Sequence, residues 1–229
     1  MLKAILFDMD GVIVDTEPLH RKAYYQMFED MNIDVSEELF TSFTGQATLN
    51  ICEQLCATFK LSEAPKELVR SKRAHFKYLF ENDQSLQLID GVLDLIQNYF
   101  ENGLTLVLAS SASMPNINRI FERFDLNQYF VAKLSGADLK ASKPHPEIFI
   151  KAAEASGFEK SECLVIEDST NGMKAAKSAG IFCVGYKSEH SVNQNYNFAD
   201  LTINTFNEIT FSKISTHFIN PTVNQLKNK

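Results

Sequence analysis

The sequence has no surplus of positive charge and no apolar run long enough to span a bilayer. Its 229 residues contain 22 Lys and Arg against 29 Asp and Glu, for a net charge of −7. Binding to nucleic acid or to an anionic membrane depends on surplus Lys and Arg, so this balance argues against both partners. The N-terminal apolar run is short and is broken by Asp8 and Asp10, which is typical of neither a signal peptide nor a membrane span. We therefore expect a soluble, cytoplasmic protein.

Cysteine is also scarce. Of four cysteines, only Cys52 and Cys56 are close in sequence, and no histidine stands beside them to complete a zinc site. We expect four free thiols in a cytoplasmic setting. The composition, 45% hydrophobic and 22% charged, is typical of a globular protein with one large domain or a core with a smaller insert. We expect it to be a monomer.

Short apolar runs rich in Leu and β-branched residues alternate with helical patterns. The runs are "AILF" at 4–7, "LTLVLAS" at 104–110, "CLVIED" at 163–168 and "IFCVGY" at 181–186. Such alternation predicts an α/β fold with a doubly wound, mostly parallel sheet that is covered on both faces. Asp8, Ser110 and Asp168 stand at or just past the ends of such runs. We expect them to meet at one edge of the sheet, where active sites of such folds lie.

Between residues 16 and 89 the strand patterns give way to amphipathic helical ones, such as "PLHRKAYYQMFEDMN". We predict an inserted all-helical cap domain over 16–89. The α/β core domain would comprise 1–15 and 90–215, and a polar tail would follow over 216–229. The charges of the basic run 66–77 alternate with apolar residues at helical spacing, so we expect them on the solvent face of a cap helix.

The stretch "DMDGVIVDTEP" places two acids unusually close together. In an extended segment Asp8 and Asp10 project to the same side, where like charges repel. The pair is tolerable if a cation neutralises it or if only one of the two acids is ionised, and both conditions are typical of a reaction centre. A solvated turn after the strand is the alternative interpretation, because Asp and Gly are common in turns.

Three further motifs add to the first. "LASSAS" supplies Ser110 and Ser111, "SKPHPEIF" supplies Lys143, and "VIEDSTNG" supplies Glu167 and Asp168. Phosphoryl transfer needs a nucleophile, neutralisation of the phosphoryl charge and a proton donor for the leaving alcohol. A carboxylate suits the nucleophile, hydroxyl and amide donors suit the phosphoryl oxygens, and the lysine, which we expect at a helix N-terminus, supplies positive charge.

In this order the four motifs resemble those of the haloacid dehalogenase superfamily, in its β-phosphoglucomutase-like and sugar-phosphatase branch. The resemblance covers nearly the whole chain and implies a Rossmann-like core with a helical cap. It implies that Asp8 is the nucleophile and that Asp10 is the general acid and base. It also implies Mg²⁺ bound by Asp8, by the Asp10 carbonyl and by Asp168, with Glu167 either on the metal or close to it.

Four other positions are candidates for the site. Gly11 and Gly172 are positions where the backbone must approach phosphate or turn with positive φ. The resemblance places Thr16 in the hinge between core and cap, within reach of the general acid, and makes His20 face the substrate or Asp10. Thr16 could equally be the N-cap of a helix with Pro18 in its first turn.

The cap departs from the mutase pattern. In "TSFTGQATLN", Thr44 and Thr48 stand where mutases carry cations that grip a second phosphate, and Met114 replaces an Asn contact. Each charged hydrogen bond lost is worth about 1.5–3 kcal/mol, so a bisphosphate intermediate would escape. We therefore expect a Mg²⁺-dependent phosphatase acting on a small phosphorylated sugar or polyol. A β-phosphoglucomutase-type mutase is the alternative, and a non-catalytic binding protein on the same scaffold is a third reading.

Overall fold

The structure is a computed structural model that describes residues 1–43, 48–82, 86–188 and 193–218. The chain divides into two compact units. The core unit comprises Met1–Asp15 and Gln87–Lys229, and the helical unit comprises Thr16–Leu86. The α-helices of the helical unit are α1 (Glu17–Asp30), α2 (Glu37–Ser42), α3 (Thr48–Phe59) and α4 (Pro65–Asn82). Those of the core unit are α5 (Val92–Glu101), α6 (Met114–Arg123), α7 (Glu147–Ser156), α8 (Thr170–Ala179) and α9 (Phe211–Ile214).

The strands of the core unit form one parallel sheet. They are β1 (Ala4–Phe7), β2 (Thr105–Ser110), β3 (Phe130–Ser135), β4 (Cys163–Glu167), β5 (Phe182–Tyr186) and β6 (Leu201–Ile203). Their spatial order is β3-β2-β1-β4-β5-β6, and every neighbouring pair is parallel. The predicted α/β fold with a mostly parallel sheet is confirmed. The sequence missed β3, a half-buried edge strand without a continuous apolar run, and β6, which has three residues.

Helices pack on both faces of this sheet, so its central strands are apolar on both sides. On one face, Ala4 and Leu6 of β1 lie in a buried cluster with residues of α7 and α8. On the other face, Phe7 contacts the rings of Tyr99 in α5 and Phe130 in β3. Continuous apolar runs in the sequence, rather than alternating ones, follow from this double burial.

The helical unit has its own apolar core. Buried residues from α1, α3 and α4 form its centre, together with Val35 and Phe43. The charges of the basic run 66–77 were expected on the solvent face, and for Lys72 this expectation is wrong. Lys72 is only 5% exposed, whereas Lys66, Arg70 and Lys77 are exposed as expected. Lys72 lies at four-residue spacing with apolar residues that are also buried, namely Leu68, Phe76 and Phe80.

The end of the chain is better packed than its composition suggests. The tail was predicted to begin at residue 216, but Ser215–Phe218 forms a short 3₁₀ helix that continues from α9. The ring of Phe218 meets that of Phe182 at an edge-to-face angle, and Ile214 is buried. The rest of the predicted tail, 219–229, lies outside the described residues.

All four cysteines are free thiols, as predicted, and Cys52, Cys163 and Cys183 are buried. None of the helices in the described part of the chain has the length and apolarity needed to cross a membrane.

Tyr99 provides a test of the core packing. Its hydroxyl donates to the carbonyl oxygen of Ile209, and the side chain is fully buried. We expect Tyr99→Phe to lower the free energy of unfolding by about 1–3 kcal/mol, because the buried carbonyl loses its donor. Urea unfolding followed by circular dichroism measures this change. The control is Tyr78→Phe on an exposed side chain, which should have almost no effect. Equal stability of the two variants would contradict the assigned hydrogen bond.

Candidate active site

The register of the sheet brings the sequence motifs to one edge. Phe7, the last residue of β1, lies opposite Leu108 of β2 and Ile166 of β4. The residues that follow therefore leave the sheet at about the same level. β1 is also the strand from which the sheet order runs in both directions, with β2 on one side and β4 on the other. Ligands of α/β folds bind at such a reversal, outside the carboxyl ends of the strands.

Lys143 joins the motifs through three hydrogen bonds. Its Nζ lies 2.5 Å from Asp8 Oδ1 and 2.7 Å from Glu167 Oε1, and it also donates to the carbonyl oxygen of Ala109 at 3.0 Å. The three charged side chains are at least 90% buried. The expectation that Lys143 begins a helix is wrong, because α7 starts only at Glu147. The buried carboxylates, rather than a helix terminus, hold the ammonium group.

Glu167 organises the chain that follows β4. Its Oε2 accepts hydrogen bonds from the backbone N–H of Asp168 at 3.0 Å, and from the N–H and the hydroxyl of Ser169, each at 2.9 Å. Its Oε1 accepts from Lys143. A Cβ on Gly172 would lie 1.7 Å from Glu167 Oε1, so only glycine fits this close approach in the first turn of α8.

Burial and charge both act on the protonation of this cluster. Burial raises the pKa of Asp8 well above its usual value, Lys143 opposes the increase, and the charges of Glu167, Asp168 and Asp10 add to it. Burial lowers the pKa of Lys143, but the carboxylates of Asp8 and Glu167 outweigh it, so that the pKa is raised. The ammonium therefore stays charged, and it is one cation among several acids.

The acids fit a divalent cation. Asp8, Glu167 and Asp168 are buried, and one oxygen from each lies within 4.8 Å of the others. Hard cations such as Mg²⁺ and Ca²⁺ take carboxylate oxygens as ligands, and a cation would offset the acidic excess that Lys143 leaves. The two oxygens of Glu167 already accept four hydrogen bonds, which favours an orienting role for this residue over a direct ligand.

The turn after β1 packs tightly against Asp168. Gly11 has φ of +83°, and its N–H donates to the carbonyl oxygen of Val14 at 2.8 Å. A Cβ at this position would lie 2.1 Å from Asp168 Oδ2. Asp10 pairs with Val14 through the backbone in the same turn. A positive φ and the lack of space thus both require glycine beside the two acids.

The loop after β2 is held by short-range contacts. Ser110 is completely buried, and its Oγ accepts from the N–H of Ala112 at 3.0 Å. The hydroxyl of Ser135 donates to the carbonyl oxygen of Ala112 at 2.9 Å. Ser111, between Ser110 and Ala112 in the chain, is exposed. These contacts fix the course of the chain directly after the strand.

Thr16 and His20 belong to the helical unit. Thr16 takes the N-cap position of α1 with Pro18 in the first turn, but its side chain makes no capping hydrogen bond to the helix. Its carbonyl oxygen accepts from the N–H of His20 at 2.9 Å. The structure thus places Thr16 at the N-cap position with Pro18 in the first turn, as the alternative interpretation had it.

His20 is held by an apolar and a charged neighbour. Its ring stacks on Phe76, with centroids 4.2 Å apart, and its Nδ1 lies 2.7 Å from Lys72 Nζ. Burial and the charge of Lys72 lower the pKa of His20 well below its usual value, so the neutral ring accepts from the ammonium at Nδ1. Lys72 Nζ also lies 4.8 Å from the ring centre of Tyr24. The charges of the run 66–77 were all expected on the solvent face, so the contact of Lys72 with His20 was not predicted.

Comparison with known proteins agrees with this geometry. The haloacid dehalogenase-like hydrolase family matches residues 5–186, which include all four motifs. The chain belongs to this family. The superfamily prediction made from the motifs is confirmed, and so is the prediction that the protein is a hydrolase.

Relatives within the family carry two kinds of name. The chain is 30% identical over 192 residues to a phosphorylated carbohydrates phosphatase of Thermotoga maritima, covering 84% of this chain and 88% of the relative. It is also 30% identical over 189 residues to the β-phosphoglucomutase of Bacillus subtilis, covering 80% and 83%. The crystal structure of CbbY from Rhodobacter sphaeroides in complex with phosphate is 27% identical, with a TM-score of 0.80 over 91% of this chain and 96% of CbbY. Overall identity does not separate the two activities.

Gly172 tests the close approach of α8 to Glu167. Replacing glycine by alanine inside a helix usually stabilises it by about 0.5–1 kcal/mol. We expect the opposite for Gly172→Ala, a loss of about 1–3 kcal/mol, because the new Cβ would overlap the carboxylate. Thermal unfolding compared with Ser178→Ala, an exposed position on the same helix, measures the difference. A variant as stable as the wild type would show that the carboxylate is not held as described.

Proposed function

We propose that this haloacid dehalogenase-like hydrolase is a Mg²⁺-dependent phosphatase for a small phosphorylated sugar or polyol. The observation that carries the proposal is the buried Asp8, whose carboxylate is fixed by Lys143 beside Asp168 and Glu167. A carboxylate held in one orientation at a strand end is suited to attack phosphorus. Burial also excludes the water that would compete with it.

The reaction proceeds in two steps on Asp8. In the first, an Asp8 oxygen attacks the phosphorus, the bond from phosphorus to the substrate oxygen breaks, and Asp10 gives its proton to the departing alcohol. In the second, Asp10 takes a proton from water, and the water oxygen attacks the phosphorus of the aspartyl phosphate. The bond between phosphorus and the Asp8 oxygen breaks, inorganic phosphate leaves and the Asp8 carboxylate is restored. Each step exchanges one oxygen on phosphorus for another, so the charge changes little.

The other residues of the cluster hold the groups that react. Asp8 and Asp168, with the backbone carbonyl of Asp10, would bind Mg²⁺, which neutralises charge on the phosphoryl oxygens when it is bound. Glu167 orients Lys143 and the segment that carries Asp168. Lys143 and the donors of the loop at Ser110 and Ser111 bind the phosphoryl oxygens.

Hydrolysis, rather than isomerisation, is favoured by the residues at three positions where mutases contact a second phosphate: Thr44 and Thr48 in the helical unit and Met114 in the core unit. Thr48 begins α3 and Met114 begins α6, and neither supplies the charged or amide contact of the mutase pattern. Thr44, the other position in this comparison, lies outside the described residues. One observation favours the mutase alternative: Lys72 is a buried cation that a second phosphate could use.

The nucleophile is tested by Asp8→Asn. We expect no measurable turnover of a general phosphate ester, because an amide cannot form the acyl phosphate. A fold close to that of the wild type should remain, since the amide still fills the space of the carboxylate. Phosphate release and mass spectrometry of the quenched enzyme check both statements. Asp94→Asn, an exposed residue on α5, is the matched control and should keep full activity. Substantial turnover by pure Asp8→Asn enzyme would remove Asp8 from this role.

The proton donor is tested by Asp10→Asn. We expect turnover to fall by about 10²–10⁴-fold, the usual contribution of general acid and base catalysis. Rapid-quench measurement should show that formation and hydrolysis of the aspartyl phosphate are both slower. A substrate with a good leaving group, such as 4-nitrophenyl phosphate, should recover much of the first step, because its oxygen needs no proton. Unchanged kinetics would assign the proton transfer to another residue.

The choice between phosphatase and mutase is tested by products. The enzyme is incubated with β-glucose 1-phosphate, Mg²⁺ and a trace of the 1,6-bisphosphate, and inorganic phosphate and glucose 6-phosphate are followed together. We expect phosphate release from this or another phosphorylated sugar or polyol in a panel, with little glucose 6-phosphate. Much faster formation of glucose 6-phosphate would establish the mutase.

A further inference from the structure

The segment that carries Asp168 is also held from outside the carboxylate cluster. Ser169 caps α8, so that Thr170 is the first residue of the helix. The N–H and the hydroxyl of Thr170 both donate to Gln194 Oε1, at 2.7 and 2.8 Å. The Thr170 hydroxyl in turn accepts from the N–H of Asn195 at 2.8 Å. A side chain 24 residues further along thus binds the helix two residues after Asp168.

The segment after Gln194 is docked on the end of β5 and provides a fixed support. The hydroxyl of Tyr196 donates to the carbonyl oxygen of Tyr186 at 3.2 Å. A Cβ on Gly185 would lie 3.0 Å from atoms of both Tyr196 and Met173, so this packing depends on glycine. The segment 194–196 therefore links two parts of the core unit, the end of β5 through Tyr196 and the first turn of α8 through Gln194.

Two acceptors of different charge share the N–H groups around Asp168. Glu167 accepts from Asp168 and Ser169, and Gln194 accepts from Thr170. The amide of Gln194 satisfies a helix donor without adding a negative charge to a site that already has an excess of acids. A carboxylate in its place would raise that excess.

Building on the proposed Mg²⁺ site, we propose that Gln194 and Thr170 are positioning residues for the metal ligand Asp168. A small hard cation demands short and regular distances to its oxygens, so a shift of the Asp168 backbone weakens binding. Removing a residue that orients a metal ligand typically lowers the affinity for the metal by about 10–100-fold. If Gln194 and Thr170 only capped α8, their replacement would lower stability and leave the affinity for the metal unchanged.

The test measures Mg²⁺ binding by isothermal titration calorimetry without substrate, and thermal unfolding in parallel. We expect Gln194→Ala and Thr170→Val to raise the Kd for Mg²⁺ by about 10–100-fold. Thr170→Ser keeps both donors and should restore a Kd within about twofold of the wild type. Thr205→Ala, which removes a capping box elsewhere in the core unit, controls for the loss of stability and should leave the Kd unchanged.

The outcomes separate this inference from the proposed function. Weaker Mg²⁺ binding by the two variants, with rescue by Thr170→Ser, supports the positioning role, even if the variants also melt earlier. Lower melting temperatures with a wild-type Kd overturn it and leave the phosphatase proposal intact. Wild-type protein that binds no Mg²⁺ overturns both.

Discussion

A buried ammonium among buried carboxylates is the interaction on which the rest of the core unit depends. Removing ions from water costs several kcal/mol per ion, and only close partners and hydrogen bonds can offset this cost. Lys143 contacts Asp8 and Glu167 directly, and the backbone N–H groups just before α8 donate to the remaining oxygen of Glu167. Gly11 and Gly172 follow from the same requirement, because any side chain there would collide with Asp168 or Glu167.

The helical unit contains a second buried cation, Lys72, whose charge is stabilised in a different way. Lys72 lies against the neutral ring of His20 and the faces of Tyr24 and Phe76. The lowered pKa of His20, due to burial and to Lys72, keeps the pair from carrying two positive charges. Aromatic faces attract an ammonium, at about 0.5–2 kcal/mol for each contact. A positive charge is thus maintained beside the apolar core of this unit.

Membership of the family leaves open what accepts the phosphoryl group. A phosphatase and a mutase share the chemistry of Asp8, and this chain is equally identical to one relative of each name. The difference lies in whether a phosphorylated intermediate is retained, and retention is a matter of a few charged contacts rather than of fold. The residues of the helical unit, not those around Lys143, therefore deserve comparison between phosphatases and mutases.

The sequence by itself determined the fold class and the four motifs. Continuous apolar runs indicate strands buried in a parallel sheet, and acids at the ends of those strands indicate the edge of the sheet where an active site lies. Asp8, Lys143, Glu167 and Asp168 could be named because each belongs to a local pattern. The partners of those residues could not. Whether Glu167 turns its oxygens to Lys143 and the chain after β4, whether Lys72 lies inside its helix bundle, and whether Gln194 reaches Thr170 depend on contacts between segments distant in sequence. Side-chain direction and burial arise only when those segments pack, so the tertiary structure alone decided them.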